Sequence, residues 1–362
     1  MKKYTLPEYP VRRDVWDLLS EEKRPIVVYG MGNGADKLFR RFEKYNISVA
    51  DIFASDGFVR GHSFHGYRVK SFSEIKETYS DFVIVLSFAS NREEVISMLS
   101  DIDSRYDMYV PDMPVADEFE YFDKELYNNN YPDILKAYSI LSDENSKNIY
   151  AAIINYKLFG KLSYLLDAYT DKGDMYSLIG NKKIKTMIDG GAYNGDTARE
   201  AAEYFADLSE IYAIEPDKKT YKRLLKYAES APVKILPINA ALYNENTSGE
   251  FFSSGNRNST AKATASYQSS IEATPFITVD SLGIIPDYIK YDVEGAEYEA
   301  LLGSLGTIKI ARPVLLVSLY HRSKDIYSLP LMLYSELSGY EFHLCRLRSV
   351  PAWELNLILI PT

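Results

Sequence analysis

Cysteine is nearly absent from this chain, since Cys345 is the single one among 362 residues. One cysteine excludes an intramolecular disulfide, the kind of bond on which many small secreted domains depend. Cys345 falls in an alternating apolar stretch, which predicts a small buried residue. We therefore expect a reducing compartment, and the cytoplasm is the predicted location.

Long hydrophobic runs are lacking as well. Runs such as Phe82 to Leu86 and Val314 to Val317 are of strand length, whereas a membrane-spanning helix needs about 20 apolar residues. Residues 1–24 carry charges throughout and contain no apolar block of signal-peptide length. The sequence therefore predicts neither a transmembrane segment nor a secretion signal.

Basic residues are too few to form an extended positive surface. The chain has 41 Lys and Arg against 51 Asp and Glu, which gives a net charge of -10. Nucleic acids and anionic membranes are bound mainly through basic faces. We therefore expect no nucleic-acid partner. The oligomeric state stays open.

The patterns that are present divide the chain into four parts. We predict a lead over 1–24, a small Rossmann-like α/β domain over 25–116, a helical bridge over 117–180 and a second α/β domain over 181–362. In the bridge, apolar residues at helical spacing predict helices over 133–141 and 146–159. The asparagine-rich run between Tyr127 and Tyr131 predicts a loop.

The most informative motif is a glycine-rich turn between a predicted strand and a predicted helix. It consists of Asp189, Gly190, Gly191, Ala192, Tyr193, Asn194, Gly195, Asp196 and Thr197. Such a turn places backbone N–H groups and a carboxylate at one crevice. Acids on both sides of the glycines would repel a pyrophosphate, but they suit the sulfonium and amino groups of S-adenosylmethionine (SAM). The turn therefore predicts a SAM site.

A second acid supports a nucleoside ligand. The next predicted strand, Glu210 to Ile214, ends in Glu215, Pro216 and Asp217. In nucleotide-binding α/β folds an acid at this place binds the ribose hydroxyls. Glu215 is therefore the predicted ribose ligand.

With these residues in place, the chain from about residue 141 onward resembles the FkbM family of SAM-dependent methyltransferases. Six segments occur in the family's order: IDGGAYNGDT (188–197), YAIEPD (212–217), INAALYN (238–244), FITVDSL (276–282), IKYDVEGAE (289–297) and SLYHRSKDIYSLP (318–330). The resemblance implies O-methylation of a hydroxyl in a sugar, glycan or nucleotide-sugar-linked acceptor, as in polysaccharide biosynthesis. It also implies a class I methyltransferase sheet, and two final antiparallel strands are consistent with the order 3-2-1-4-5-7-6. Asn239 and Ala240, which follow the third strand of this sheet, are expected to line the adenine pocket.

Three residues are candidates for the chemistry. Asp292 ends the strand Tyr288 to Tyr291, Glu294 lies in the next turn, and His321 follows the strand Pro313 to Leu319. A sugar hydroxyl attacks well only when its proton is removed, so we expect His321 to be the base, oriented by Asp292 or Glu294. A histidine that merely caps the strand end is the alternative. Asp292 and Glu294 also suit Mg²⁺, but without a third recognisable ligand no metal is assigned.

The first α/β domain has a glycine turn of its own. Gly30, Gly32 and Gly34 follow the strand Ile26 to Tyr29 and resemble the turn of small Rossmann-like domains that bind nucleotide sugars. One alternative is that these glycines only let the helix pack closely on the sheet. Another is a nicotinamide-dependent oxidoreductase, in which Asp56 would bind the ribose.

A polar stretch follows the third strand of the second domain. Ser253 to Ser270 is rich in Ser, Thr, Asn, Ala and Gly and shows no apolar periodicity. We predict a flap that contacts the acceptor, in which Arg257 and Lys262 would meet a diphosphate or a carboxylate. A plain hairpin tip is the alternative.

Overall fold

The computed structural model describes residues 2–59, 61–115, 120–180, 182–253 and 270–362. A parallel sheet and a mostly parallel sheet, each packed against helices, are joined by a layer of helices. This arrangement confirms the predicted fold class, a smaller Rossmann-like unit before a methyltransferase-type sheet.

The first unit is built on a five-stranded parallel sheet in the order β5-β2-β1-β6-β7. Its elements are α1 (Val15–Glu21), β1 (Ile26–Tyr29), α2 (Asn33–Tyr45), β2 (Val49–Ala54), β3 (Ser63–Phe64), β4 (Tyr67–Arg68), β5 (Lys70–Ser71), α3 (Phe72–Thr78), β6 (Val83–Leu86), α4 (Glu93–Asp103) and β7 (Asp107–Tyr109). Strands β3 and β4 form a separate small hairpin.

Helix α1 belongs to the packed body of the first unit. The Asp14 side chain caps it by accepting hydrogen bonds from the backbone N–H groups of Trp16 and Asp17. The Asp17 side chain in turn accepts a hydrogen bond from the backbone N–H of Asp14. Val15, Trp16 and Leu19 lie in one core cluster with residues of β1 and α2. The predicted lead over 1–24 therefore contributes to the core of the first unit.

Five helices form the bridge: α5 (Lys124–Asn129), α6 (Tyr131–Ser139), α7 (Glu144–Phe159), α8 (Leu162–Asp167) and α9 (Lys172–Ile179). The loop predicted between Tyr127 and Tyr131 is wrong. Asp123 caps α5 by accepting a hydrogen bond from Leu126 N at 3.1 Å, and the Tyr127 side chain is fully buried. Capping and burial here outweigh the low helix propensity of asparagine.

The second unit carries a seven-stranded sheet in the order β10-β9-β8-β14-β15-β17-β16, which is the predicted order 3-2-1-4-5-7-6. Strand β17 is antiparallel to both neighbours. The elements are β8 (Thr186–Gly190), α10 (Asp196–Tyr204), β9 (Glu210–Ile214), α11 (Lys218–Ala228), β10 (Lys234–Ile238), β11 (Ala241–Leu242), β12 (Thr247–Ser253), β13 (Ser270–Ile277), β14 (Tyr288–Tyr291), α12 (Glu297–Leu302), α13 (Leu305–Ala311), β15 (Val314–Ser318), α14 (Asp325–Glu336), β16 (Tyr340–Arg346) and β17 (Leu355–Pro361).

Strands β11, β12 and β13 form a small sheet beside the main one. Strands β12 and β13 are an antiparallel hairpin. The connection between them, residues 254–269, lies outside the described residues. The predicted flap with Arg257 and Lys262 lies there and stays a prediction.

Both faces of the large sheet are covered, because successive residues of its strands alternate between two cores. Met187, Ile211 and Leu316 pack against helices α9, α10 and α11. Ile188, Ile289 and Leu315 face the opposite way, in a core shared with the bridge and the first unit. Among the described residues, no helix combines the length and apolar character needed to cross a membrane.

Candidate functional site

A cleft of about 630 Å³ opens where β8, β9 and β14 end at the same edge of the large sheet. Open parallel sheets commonly bind ligands at this edge. Many of the predicted site residues line it: Gly191, Tyr193, Asp196, Thr197, Glu215, Pro216, Ala240, Asp292 and Glu294. Asp189, Gly190, Ala192 and Gly195 lie in or beside the turn that forms its floor.

The glycine turn lies unusually close to β14. Gly191 has a φ of +82°, and a Cβ at this position would lie 1.9 Å from the backbone oxygen of Asp292. The backbone N–H groups of Gly191 and Ala192 both donate to Ile214 O at 3.0 Å. These two amides bind within the protein and are therefore not free to bind a pyrophosphate.

Asp189 is a buried acid behind this turn. Neither carboxylate oxygen has a hydrogen-bond partner among the described residues, and the nearest cation, Lys290 Nζ, is 3.9 Å away. Burial raises the pKa of Asp189 to about 6, although Lys290 opposes the shift. An unpartnered buried carboxylate next to the turn fits a ligand that brings a positive group.

Glu215 is held in a fixed orientation at the end of β9. Its Oε2 accepts a hydrogen bond from Tyr193 N at 2.9 Å, and its Oε1 accepts one from Asp217 N at 2.8 Å. Burial raises the pKa of this carboxyl to about 8, against the effect of these two backbone bonds. The carboxyl group still lines the cleft, as a ribose ligand must.

Two residues predicted to bind the cofactor, Asn239 and Asp217, instead form hydrogen bonds that hold the segment after β9. Asn239 is not part of the cleft wall, because its Nδ2 donates to the backbone oxygens of Glu215 at 2.8 Å and Pro216 at 3.0 Å. Ala240 lines the cleft beside it. Asp217 is buried and caps α11 by accepting a hydrogen bond from Thr220 N at 2.8 Å.

Asp292 is held by side chains from two strands. Its Oδ1 accepts hydrogen bonds from Ser318 Oγ at 3.1 Å and Tyr320 Oη at 2.9 Å, and its Oδ2 accepts one from Lys290 Nζ at 3.0 Å. Burial alone would raise the pKa of Asp292, but the positive charges of Lys290 and His321 lower it well below its usual range. Asp292 is therefore an anchored anion in the cleft wall.

Sequence reasoning missed Lys290. The signal was present, because a lysine inside an otherwise apolar central strand is seldom accommodated without a charged partner. Burial lowers the pKa of Lys290, but Asp292 and Asp189 outweigh that effect and raise it. Lys290 lies between two acids, Asp189 in β8 at 3.9 Å and Asp292 after β14 at 3.0 Å.

Glu294 occupies a left-handed backbone conformation, with a φ of +54°. This conformation is costly for a residue with a side chain and is often found at functional sites. Glu294 Oε2 lies 3.4 Å from His321 Nε2. Burial raises the pKa of Glu294, and His321 opposes the shift.

His321 does not reach the cleft, contrary to the role predicted for it. Its side chain is 1% exposed and lies behind the carboxylates, with Nδ1 at 2.8 Å from Glu297 Oε1 and Nε2 at 3.6 Å from Asp292 Oδ1. Burial alone would lower the pKa of His321, but the charges of Glu297 and Glu294 raise it well above its ordinary value. Because its ring is buried and does not line the cleft, the structure does not place His321 in contact with an acceptor and does not support it as the direct base.

The first unit completes the open end of the cleft. Asn91 and Glu93 line it together with Tyr169 from the bridge and Arg348 from the second unit. Arg348 pairs with Glu93 and lies 5.3 Å from the centre of the Tyr169 ring. These contacts join residues distant in sequence, and no local motif pointed to them.

Comparison with known proteins identifies this domain. Residues 189–344 match the family model described as the Methyltransferase FkbM domain. The matched range begins in the glycine turn and includes Glu215, Asp292, Glu294 and His321. No curated protein gives a significant match to the chain.

Solved structures give the fold of the whole chain. The crystal structure of Methyltransferase FkbM from Methylobacillus flagellatus KT matches with a TM-score of 0.70 at 16% identity, covering 98% of this chain and 94% of that one. The precorrin-6y C5,15-methyltransferase of Geobacter metallireducens GS-15 gives a TM-score of 0.34 at 12% identity, over 55% of this chain and 87% of that one. Aeropyrum pernix fibrillarin, solved with S-adenosyl-L-methionine, gives 0.31 at 13% identity, over 51% and 71%.

Proposed function

Because residues 189–344 form the methyltransferase domain of a SAM-dependent enzyme, we propose that the chain methylates a hydroxyl group of a sugar, glycan or nucleotide-sugar-linked acceptor. The observation that carries the proposal is a single cleft whose lining has two parts. Glu215 and the glycine turn form the first part, and Asp292, Glu294 and residues of the bridge and the first unit form the second.

The chemistry of SAM fits the first part of the cleft lining, which contains Glu215 and the glycine turn. Glu215 would accept hydrogen bonds from the ribose hydroxyls, and Ala240, Ala241 and Leu242 would contact the adenine. The close approach of Gly191 to β14 leaves room for the ligand at the main chain. The buried charge of Asp189 favours the positively charged methionyl part of SAM.

The acceptor fits the second part of the cleft lining. Asn91, Asp171 and Asn356 supply hydrogen-bonding groups to it, and Tyr169 and Tyr320 supply aromatic rings. A mixture of amides, acids and aromatic rings is suited to sugars, whose hydroxyls form hydrogen bonds and whose C–H faces stack on rings. The lining also favours an acceptor that the first unit helps to orient.

The reaction is a direct displacement. The acceptor oxygen attacks the methyl carbon of SAM, the C–O bond forms, and the C–S bond breaks with its electron pair going to sulfur. S-adenosylhomocysteine (SAH) leaves, and the hydroxyl proton passes to the carboxylate of Glu294, whose pKa is raised, while Asp292, whose pKa is lowered, stays an anion that orients the acceptor. Much of the rate enhancement comes from holding the oxygen, carbon and sulfur in line.

The oxidoreductase alternative is not favoured by the first unit. Asp56, which would have to bind the ribose of a nicotinamide cofactor, accepts hydrogen bonds from Phe72 N at 3.0 Å and Ser73 Oγ at 3.3 Å. Its carboxylate is used to hold the start of α3. The cytoplasm remains the expected location, as the single cysteine predicted.

The proposal is tested by methyl transfer from radiolabelled SAM to a panel of nucleotide sugars, glycan fragments and free sugars. We expect label in at least one hydroxyl-bearing acceptor and loss of that label in Glu215→Ala. The matched control is Glu210→Gln, at the opposite end of β9. Binding of SAM without transfer to any acceptor of the panel would contradict the acceptor class, and absence of SAM binding would contradict the function itself.

A further inference from the structure

Three side chains that commonly bind metal ions meet in the wall of the cleft. Asp292 follows β14, Glu297 begins α12 and His321 follows β15. One candidate ligand atom from each lies within 4.8 Å of the other two. Each residue comes from a different element, so the fold and not a local turn brings this acid–histidine cluster together.

Three buried side-chain atoms of the cluster lack hydrogen-bond partners among the described residues: Nδ1 and Nε2 of His321 and Oε2 of Glu297. His321 and Glu297 are each 1% exposed. Glu297 Oε1 accepts a hydrogen bond from Val293 N at 2.9 Å, and its contact of 2.8 Å with His321 Nδ1 lacks hydrogen-bond geometry. Because unsatisfied buried polar atoms are costly, these three atoms favour a further binding partner.

The charges of the cluster call for a positive ligand. Asp292, Glu294 and Glu297 bring three carboxyl groups close to one imidazole ring. Lys290 is a contacting cation, and it lies on the Oδ2 side of Asp292 at 3.0 Å. The three carboxyl groups outnumber the two basic groups, Lys290 and His321, and a buried carboxylate such as Glu297 is costly unless a cation compensates its charge.

The spacing brings two of the three ligands within reach of one ion. Ligand atoms bonded to a common metal at about 2.1 Å are about 3 Å apart when adjacent and about 4 Å apart when opposite. His321 Nε2 and Asp292 Oδ1, at 3.6 Å, meet this spacing, whereas Glu297 Oε1 lies 2.8 Å from the other ring nitrogen, Nδ1, so the Glu297 side chain would turn toward the ion. A nitrogen ligand with carboxylates is the donor set of Mn²⁺, Fe²⁺, Co²⁺ or Zn²⁺ more than of Mg²⁺.

We propose that Asp292, Glu297 and His321 bind one divalent transition-metal ion in the wall of the cleft. Asp292 is the member that lines the cleft, so the ion would lie next to the acceptor's position. A role for the ion in methyl transfer, as a Lewis acid that makes the acceptor hydroxyl more acidic, rests on the proposed function. The binding of the ion to these three residues is independent of that function.

The test uses the full chain, stripped with a chelator, dialysed and titrated with Mn²⁺ and with Co²⁺. We expect one Mn²⁺ per chain by electron paramagnetic resonance, and a visible Co²⁺ spectrum that reports nitrogen and oxygen ligands. His321→Ala and Glu297→Gln should each weaken binding at least ~10-fold. The matched control is His343→Ala, because His343 also lies between two acids, Asp143 at 2.8 Å and Glu341 at 3.4 Å.

SAH binding by each variant checks that the variant is folded. If both buried variants fail to fold, Asp292→Asn decides, since Asp292 is partly exposed in the cleft. No stoichiometric binding by the folded wild type, or equal binding by the wild type and the folded cluster variants, overturns the metal site. Metal binding without SAM binding would support the site and contradict the proposed function.

Discussion

The chain contains two glycine turns of similar design, and their surroundings differ. The turn between β1 and α2 has Gly30 and Gly32 at φ of +110° and +113°, and the turn between β8 and α10 has Gly191 and Gly195 at +82° and +85°. Each follows a central strand of a parallel sheet. Among the described residues, only the second turn lies on the cleft described above.

Close packing accounts for glycine in both turns. A Cβ on Gly34 would lie 2.0 Å from Ser87 O, much as one on Gly191 would lie 1.9 Å from Asp292 O. The acids distinguish the turns. Asp56, which follows the neighbouring strand β2, accepts hydrogen bonds from Phe72 N and Ser73 Oγ, whereas Glu215, which follows β9, lines the cleft. A glycine turn therefore shows that a helix and a strand approach closely, and the acid after the neighbouring strand is the feature that favours a ligand site at the second turn.

The largest effect should come from the wall of the second turn's cleft. Asp292→Asn removes the anion that Ser318, Tyr320 and Lys290 hold, so we expect kcat to fall by roughly 10²- to 10⁴-fold while SAM affinity changes little. Steady-state kinetics with the acceptor found in the panel measures this. The matched control is Asp287→Asn, which precedes the same strand at its other end. A kcat near that of the wild type would remove Asp292 from the chemistry.

The next effect concerns the cofactor. Glu215→Ala removes the hydrogen bonds between this carboxyl group and the ribose, so SAM and SAH binding should weaken by about 1–3 kcal/mol. Isothermal titration calorimetry measures the change, and Glu210→Gln should bind as the wild type does. If the affinity is unchanged, the ribose lies elsewhere and the contrast between the two turns loses its main support.

A smaller effect should appear with pH. The pKa of Glu215 is raised to about 8, so its carboxyl is mostly neutral at pH 7 and ionises as the pH rises. The ionised form accepts ribose hydrogen bonds better, so adenosine, which has no group titrating in this range, should bind up to ~10-fold more tightly at about pH 9 than at about pH 7. Glu215→Gln should remove the dependence. An equal slope in this variant would assign it to another group.

The smallest effect is expected at the first turn. Residues Gly30 to Ala35 remain predicted to bind a nucleotide sugar, and uridine or guanosine diphosphate sugars should then raise the melting temperature by a few degrees, on the order of 1 kcal/mol of stabilisation. The full chain must be used, because Val27 and Tyr29 share a core with the bridge. Saturating SAH excludes binding in the second cleft. If no nucleotide sugar shifts the melting temperature, the turn is structural.

Local sequence signals predicted the sheet well. Ile26–Tyr29, Glu210–Ile214 and Tyr288–Tyr291 have the predicted bounds, because short apolar runs between turn residues are typical of buried strands. The candidate residues at strand ends, Glu215 and Asp292, lie on the cleft for the same reason. The helix at Lys124–Asn129 was missed because its burial against residues 7 and 11 is not visible locally.

The sequence by itself determined the strands and the edge at which the acids gather, since both depend on local alternation and on the turn after each strand; the order of the strands followed from the resemblance to the FkbM family. Tertiary packing alone decided that His321 lies beside Glu297 and away from the cleft, that Lys290 lies between two acids, and that Glu93 of the first unit lines the cleft and pairs with Arg348. A strand end places a residue at an edge. The direction of its side chain depends on neighbours that come from distant parts of the chain.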